Sequence, residues 1–427
     1  MRIVRPADRI YGTIALPGDK SITHRVLILS AAGKGISRLF NLSYSADCLS
    51  TCRLLKKLGV SILLKDDNET VVHGVGLMGF KEPKTILHAG NSGTLARLLS
   101  GILAGQKFVS IITGDASLMR RPMMRVVEPL RQMGALILGR ANGEKLPIAI
   151  KGEELQGITY KLPVASAQVK SAILLAGLLA KGKTSVIESV KSRDHTERLL
   201  MSLGLPFTSI DLRCEISGGA EWDRFETRIP GDLSSAAPFI VAALLLPGSH
   251  LNITDVGLNP IRLQYLEILC RMWGDITWKV EGETMGEPWG TVIVRYSKLK
   301  GTAIDNTPGI IDEIPLLALA ATQAEGATYI SRVNELRVKE SNRLSGIIGR
   351  LKNFGANITL KNDTLIVHGP VSLIGGDGDA KSDHRMVMWH AVCGLISKNP
   401  VAIHGADWVK VSFPSFWELL DKTVERK

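Results

Sequence analysis

Six times along the chain, a short motif of Gly, Ser, Asp and Pro leads into an apolar run of small residues. Each run stops at Gly or Pro, and a β-branched stretch follows. The copies are LPGDKSITHRVLILSAAGKGIS from Leu16, AGNSGTLARLLSGILAGQ from Ala89 and PVASAQVKSAILLAGLLAKGKTSVI from Pro163. IPGDLSSAAPFIVAALLLPGSHLNI from Ile229, TPGIIDEIPLLALAATQAEGATYI from Thr307 and AKSDHRMVMWHAVCGLISKNPVAI from Ala380 complete the set. Spaced roughly seventy residues apart, they read as repeated structural units. Each run is apolar nearly all round, and a helix of that kind must be buried on all sides. Helices inside a shell of sheets are therefore expected, unlike the usual sheet covered by helices.

A second signature follows inside each unit. LLKKLG ends at Gly59, PLRQMG at Gly134, LMSLG at Gly204, CRMWG at Gly274 and RLKNFG at Gly355. Each predicts a helix stopped by a glycine in the left-handed conformation. Alternating strands come next, such as Ala356–Leu360 and Thr364–Val367. The sixth unit ends on a terminal helix signal, FWELLDK from Phe416. Each unit thus reads β-α-β-α-β-β. Pro17-Gly18-Asp19-Lys20-Ser21 best matches Pro230-Gly231-Asp232-Leu233-Ser234, which splits the six units into two halves. The predicted domains are 17–229 and, completed by a first strand from the N-terminus, 1–16 plus 230–427. The chain would then cross between domains twice, with the active site in the cleft between them.

Charge narrows the function without deciding it. The chain of 427 residues carries a formal net charge of +11, with Lys and Arg dispersed and only 5% aromatic residues. Few aromatics leave little for base stacking on nucleic acid. A small, multiply charged anion as substrate explains the excess equally well, as does a solvated basic surface. The longest apolar run, Ala236 to Pro247, is too short to span a bilayer, and the N-terminus lacks the apolar stretch of a secretory signal. A cytoplasmic protein is expected. Cys48, Cys52, Cys214, Cys270 and Cys393 form no metal-ligand spacing and read as buried thiols.

Polar residues gather where the buried helices begin. Lys20, Ser21, His24 and Arg25 open the first, and Asn91, Ser92, Gly93 and Thr94 the second, with Arg97 one turn in. Ser166, Gln168 and Lys170 open the third, Asp312 and Glu313 the fifth, and Asp383, His384 and Arg385 the sixth. Helix N-termini attract anions. Ordinary capping by Ser, Asp and Asn explains any one of these residues. It does not explain so many polar helix starts at one repeat phase, three with an Arg within about a turn. Arg120-Arg121-Pro122-Met123 and Arg337-Val338-Lys339-Glu340-Ser341-Asn342-Arg343 occupy matching places in the second and fifth units. Arg suits bidentate recognition of carboxylate or phosphate, and a nearby Lys–Glu pair can tune a carboxyl group for proton transfer.

At these motifs the chain resembles a known family. LPGDKSITHR, GNSGTLARLL, RRPM, SAQVKSA, SRDHTERLL, PGDLSSA, IDEIPLLALAA, RVKESNRL, DHRM and SFPSF stand in the order of 3-phosphoshikimate 1-carboxyvinyltransferases, and look like their bacterial class II branch. The resemblance implies an inside-out α/β fold of two domains, each of three β-α-β-α-β-β units. It implies transfer of the enolpyruvyl group of phosphoenolpyruvate to shikimate 3-phosphate, by a monomer without cofactor or metal. No nucleic-acid or membrane partner is implied. Carried over by motif, Lys20, Ser21 and Arg25 would meet shikimate 3-phosphate. Ser166, Ala167 and Gln168 would continue that site, with Arg193 near the 3-phosphate and Asp312 and Lys339 at the hydroxyl face. Phosphoenolpyruvate would meet Lys20, Asn91, Gly93, Arg121, Gln168, Arg343 and Arg385. Asp312, Glu340 and Lys20 would be catalytic. The inhibitor glyphosate would compete for the same site, and Gly93, where some tolerant relatives have Ala, implies sensitivity.

Three departures and two alternatives accompany this resemblance. Ala167 stands where another branch commonly has Ser, which leaves a backbone contact at most. Many relatives have Lys where this chain has Val411, and Lys410 is its neighbour. On a strand, neighbours face opposite ways, so Lys410 is not expected to replace that phosphate contact. Leu98 follows Arg97 where another branch has Pro. The sister reaction on UDP-N-acetylglucosamine shares the fold but typically uses a Cys in the loop matching Asp115–Met123, which here has none. A basic anion- or nucleic-acid-binding protein is the alternative of another class.

Overall fold

A computed structural model describes residues 1–65 and 68–426. Twelve α-helices form among them, two per repeat: α1 (Lys20–Ala32) and α2 (Ala46–Lys57), α3 (Gly93–Ala104) and α4 (Met124–Gln132), α5 (Ala167–Gly177) and α6 (His195–Ser202), α7 (Leu233–Leu245) and α8 (Pro260–Arg271), α9 (Ile314–Gln323) and α10 (Arg343–Asn353), α11 (His384–Ile396) and α12 (Phe416–Thr423). The odd-numbered helices are the apolar runs. Every residue from Ile22 to Ala32 of α1 and from Leu233 to Leu244 of α7 is buried. Burial on all sides puts these helices inside.

Six sheets form among the described residues, four of them four-stranded on one plan. In the third repeat, Thr159–Lys161 runs parallel to Lys183–Ile187, with α5 between them in the chain. Lys183–Ile187 pairs antiparallel with Arg213–Ser217, and that strand with Phe207–Ile210. A parallel pair needs a crossover, and the inner helix supplies it. In Lys145–Lys151, Leu146, Ile148 and Ile150 are buried, the alternation of a sheet with one face on a core.

The chain divides into two compact units. The first holds Met1–Pro17, Gly231–Gly282 and Pro288–Lys427; the second holds Gly18–Pro230 and Glu283–Glu287. Each has its own hydrophobic core. Two strands pair away from their sequence neighbours. Arg9–Ala15 precedes α1 but runs parallel to His250–Gly257 in the first unit. Glu226–Arg228 precedes α7 but runs parallel to Lys34–Phe40 in the second. The sixth repeat also borrows: Val401–His404 pairs with Gly376–Asp379 and, on its other edge, with Arg2–Val4. A feature without counterpart in the sequence reading is the long hairpin Asp275–Thr284/Glu287–Arg295, whose tip groups with the second unit. There Glu287 meets His195 at 2.6 Å, and Arg198 Nη1 donates to the Gly286 carbonyl at 2.6 Å.

Four of the five helix-stopping glycines take positive φ: Gly59 (90°), Gly134 (110°), Gly204 (67°) and Gly355 (90°). The fifth differs. Trp273 takes the left-handed turn at φ 73°, with Lys300 Nζ 3.6 Å from the centre of its ring. Gly274 serves another purpose, because a Cβ there would stand 2.8 Å from the Leu269 carbonyl oxygen. Gly101 matters most for the site. A Cβ on it would lie 2.2 Å from the Ala172 carbonyl oxygen, so its absence lets α3 and α5 touch backbone to backbone.

Candidate active site

In the second unit, the starts of α1, α3 and α5 converge through their polar side chains. Asp19 and Ser92 act as caps: they accept hydrogen bonds from the N–H groups of Ile22 (3.0 Å) and Leu95 (3.2 Å). Ser166 heads α5 without a side-chain capping bond. Gln168 joins the second and third repeats, donating to Thr94 Oγ1 at 2.9 Å and accepting from Arg97 Nη1 at 2.6 Å. Arg121 donates to Asn91 Oδ1 at 3.0 Å, and Asn91 donates to Asp115 at 2.7 Å. Gly93 begins α3 beside these guanidinium groups. A Cβ there would lie 2.7 Å from Arg97 Nη1 and 3.2 Å from Arg121 Nη1. Gly93 is not among the positive-φ residues, so close approach and not a turn requires it.

Lys20, the first residue of α1, pairs with Asp47 at 2.9 Å. Arg25 is buried and donates to Thr196 Oγ1 (2.7 Å), the Ser21 carbonyl (2.8 Å) and Ser171 Oγ (2.8 Å). Burial pushes its guanidinium down to about 10, against the pull of Glu197 and Asp19, and Arg193 is near enough to add repulsion. His24 faces inward between Thr51 (2.7 Å) and Ser92 (3.3 Å). Burial, with Lys20 and Arg25 nearby, pushes it down to about 3, so it is neutral and structural. Lys170 also leaves the set of helix-start cations. It is wholly buried between Glu188 (2.6 Å) and Glu197 (2.5 Å).

In the first unit one guanidinium organises the cluster. Arg343, at the start of α10, is 1% exposed. It meets Asp383 through Nε at 2.8 Å, Asp312 through Nη1 at 3.1 Å and Glu340 through Nη2 at 2.5 Å. Burial would lower its pKa, but Asp383, Glu340 and Asp312 together push it well up. Arg385 approaches Asp312 at 3.5 Å and Glu313 at 3.8 Å. Burial pushes the Lys339 ammonium down, while Asp312 acts in the opposite direction. Lys410 lies in a 3-10 turn, Ala406–Val411, exposed and paired with Asp407 at 2.8 Å. The strand geometry expected there is absent, so the strand argument against Lys410 does not apply.

The structure thus gathers Lys20, Ser21, Arg25, Asn91, Gly93, Arg121, Ser166, Ala167, Gln168 and Arg193 within the second unit. Asp312, Lys339, Glu340, Arg343 and Arg385 fall within the first. Motif reading passed over Asp47 and Asp115, which hold Lys20 and Asn91, and gave Asp383 no partner. Among the described residues no helix is long and apolar enough to cross a membrane, and no group of three or more His, Cys, Asp and Glu is placed to hold a metal ion.

The enolpyruvyl transferase NikO from Streptomyces tendae shares the fold over 99% of this chain and 97% of its own, with a TM-score of 0.77 at 17% identity. The fold is therefore that of the enolpyruvyl transferases, a two-domain α/β architecture with buried helices. The family model for EPSP synthase (3-phosphoshikimate 1-carboxyvinyltransferase) matches residues 4–420, and the chain belongs to that family. It is 44% identical to the 3-phosphoshikimate 1-carboxyvinyltransferase of Desulforamulus reducens over 99% of both chains, and 43% identical to that of Bacillus subtilis (strain 168) over 98% of both. A solved EPSP synthase from Acinetobacter baumannii superposes with a TM-score of 0.88 at 40% identity, covering 99% of this chain and 98% of its own. The sugar-nucleotide alternative is not favoured by these relatives.

Proposed function

We infer that this chain transfers the enolpyruvyl group of phosphoenolpyruvate to the 5-hydroxyl of shikimate 3-phosphate and releases phosphate. Membership of the family, over residues 4–420, carries this reading. The residue roles are our assignment. Arg25, Ser21, Ser166, Ala167, Gln168 and Arg193 hold shikimate 3-phosphate. Asn91, the Gly93 backbone, Arg121 and Gln168 hold the phosphate of phosphoenolpyruvate, and Lys20 serves both substrates. Arg343 and Arg385 take the carboxylate, and Lys339 and Asp312 take the hydroxyl face. The ties of Arg97 and Arg121 to Gln168 and Asn91 support this division, because each guanidinium is already oriented at a helix start.

The reaction is addition followed by elimination. Glu340 delivers a proton to the methylene carbon of phosphoenolpyruvate. The 5-oxygen bonds to the adjacent carbon as its own proton passes to Asp312, with Lys20 assisting. The tetrahedral adduct then breaks its carbon–oxygen bond to phosphate, and the departing phosphate takes up the proton held by Asp312. Its new methyl group returns a proton to Glu340, leaving the enol ether. One guanidinium, Arg343, contacts both carboxylates and fixes their orientation. Charge on both substrates is met by cationic side chains, so the chemistry requires no cofactor or metal.

We further propose a monomer acting in the cytoplasm, without nucleic-acid or membrane partners. All the assigned residues lie in one chain, both substrates are small phosphorylated anions, and Arg25 and Arg343 are too buried to reach a polymer backbone. A phosphate-release assay tests the central reading. Shikimate 3-phosphate plus phosphoenolpyruvate should release phosphate without added metal. Turnover with UDP-N-acetylglucosamine in its place would overturn the assignment.

A further inference from the structure

Lys170 sits on α5 one turn beyond Ser166, and its side chain has no exposure to solvent. Burying an ammonium costs several kcal/mol unless good partners surround it. Here Glu188 Oε2 lies at 2.6 Å and Glu197 Oε1 at 2.5 Å. Burial acts to lower the Lys170 pKa, but Glu197 and Glu188 outweigh it and the pKa rises, so the group stays charged. Neutralising one cation needs one carboxylate, and the second points to another task.

That task is visible in the chain after the Lys183–Ile187 strand. Glu188 turns back on its own loop: Oε1 accepts from the Ser192 hydroxyl, and Oε2 from the Ser192 N–H at 3.4 Å. Lys170 Nζ donates to the Ser192 carbonyl at 3.4 Å. All three polar groups of Ser192, which is 1% exposed, are therefore held by one buried ion pair. The next residue is Arg193. Beyond it, Thr196 accepts from Arg25 Nε at 2.7 Å and shares a 2.7 Å hydrogen bond with Ser171 of α5.

We propose that the Lys170–Glu188 pair is a positioning device for Arg193, fixing the 188–192 loop on α5 so that the guanidinium meets the 3-phosphate of shikimate 3-phosphate. This rests on the role assigned to Arg193 above. The same helix starts with Ser166, Ala167 and Gln168, so one buried ammonium holds two substrate-binding segments in register. Apolar residues of equal volume would fill the space. They would leave the N–H, carbonyl and hydroxyl of Ser192 without these partners, and the loop free to shift.

Kinetics on the whole enzyme test the proposal. Glu188→Gln removes one charge and keeps the shape. It should raise KM for shikimate 3-phosphate about tenfold, with kcat and KM for phosphoenolpyruvate within about twofold. Ser192→Ala should move the same constant by less. Arg193→Ala should raise it at least as much as Glu188→Gln, and combining the two should add little, because both act on one contact. Full additivity, or a lower melting temperature with KM for shikimate 3-phosphate unchanged, would overturn the device. An unchanged KM in Arg193→Ala removes the role of Arg193, and the device with it. An unchanged KM in Glu188→Gln and Ser192→Ala alone removes only the device. Where Glu188→Gln does not fold, Ser192→Ala decides.

Discussion

Arg25 in the second unit and Arg343 in the first are both buried arginines near a helix start, and their surroundings push them in opposite directions. Arg25 hydrogen-bonds two hydroxyls and a carbonyl, and burial lowers its pKa. Arg343 is wrapped by Asp383, Asp312 and Glu340, whose charges raise its pKa against burial. Neutral acceptors orient a guanidinium without cancelling its charge, whereas carboxylates do both. The second unit therefore keeps positive charge for an anion to meet. The first holds its cations against the carboxylates assigned to move protons. Both units carry assigned binding residues, but only the first sets its buried arginine among carboxylates.

The largest effect should fall on the carboxylate side. Glu340→Ala should lose on the order of 10²–10⁴ in kcat, the range for removing a general acid–base group. A retained kcat with a lower melting temperature would mean that Glu340 only anchors Arg343. The arginines separate next. Arg343→Met leaves three carboxylates without their shared cation and should cost about 3–5 kcal/mol of stability at neutral pH, seen by denaturant unfolding. Arg25→Met removes a buried charge with no carboxylate in direct contact. It should cost less stability and act mainly on KM for shikimate 3-phosphate. Equal destabilisation of the two variants would break the comparison.

A smaller effect is expected at Gly93. A methyl there must push the Arg97 and Arg121 guanidinium ends aside. Overpacking of this kind costs about 1–3 kcal/mol. Glyphosate is longer than phosphoenolpyruvate, so Gly93→Ala should raise its inhibition constant far more than the substrate KM; competition assays showing equal loss for both would remove the steric account. A pH effect concerns His24, held down to about 3 by burial. Its folded pKa lies below the unfolded value near 6.5, so the unfolded chain binds the proton first as pH falls. Stability should drop between about pH 6.5 and 3 by up to about 1.4 kcal/mol per pH unit from this residue. His24→Gln should flatten that slope by about one proton, and an unchanged slope would show that His24 protonates while folded.

Much of the architecture was legible because its causes are local. Apolar runs without a polar face announce buried helices, and Gly59, Gly134, Gly204 and Gly355 stop helices through their own φ angles. The same local logic misread Gly274, because which residue turns left-handed depended on the room available beside Leu269. Motif order also located the helix starts that carry Lys20, Asn91, Gln168 and Arg385, but read Arg343 as part of a loop where it begins α10. It did not tell which of their neighbours bind a ligand and which bind each other. His24 and Lys170 stand in the same helix-start segments as Arg25 and Gln168. Yet one is a neutral core residue, and the other is sealed between two glutamates.

By itself the sequence determined the repeat, the buried helices and the polar residues at their starts, because caps, periodicity and glycine turns act over a few residues. Only the tertiary structure decided that Glu226–Arg228 pairs with Lys34–Phe40, that Asp383 holds Arg343, and that Glu188 and Lys170 grip Ser192. Those interactions join segments far apart in the chain, or turn on burial. The energy of a charge or a strand edge is set by what packs around it, and no local pattern records that.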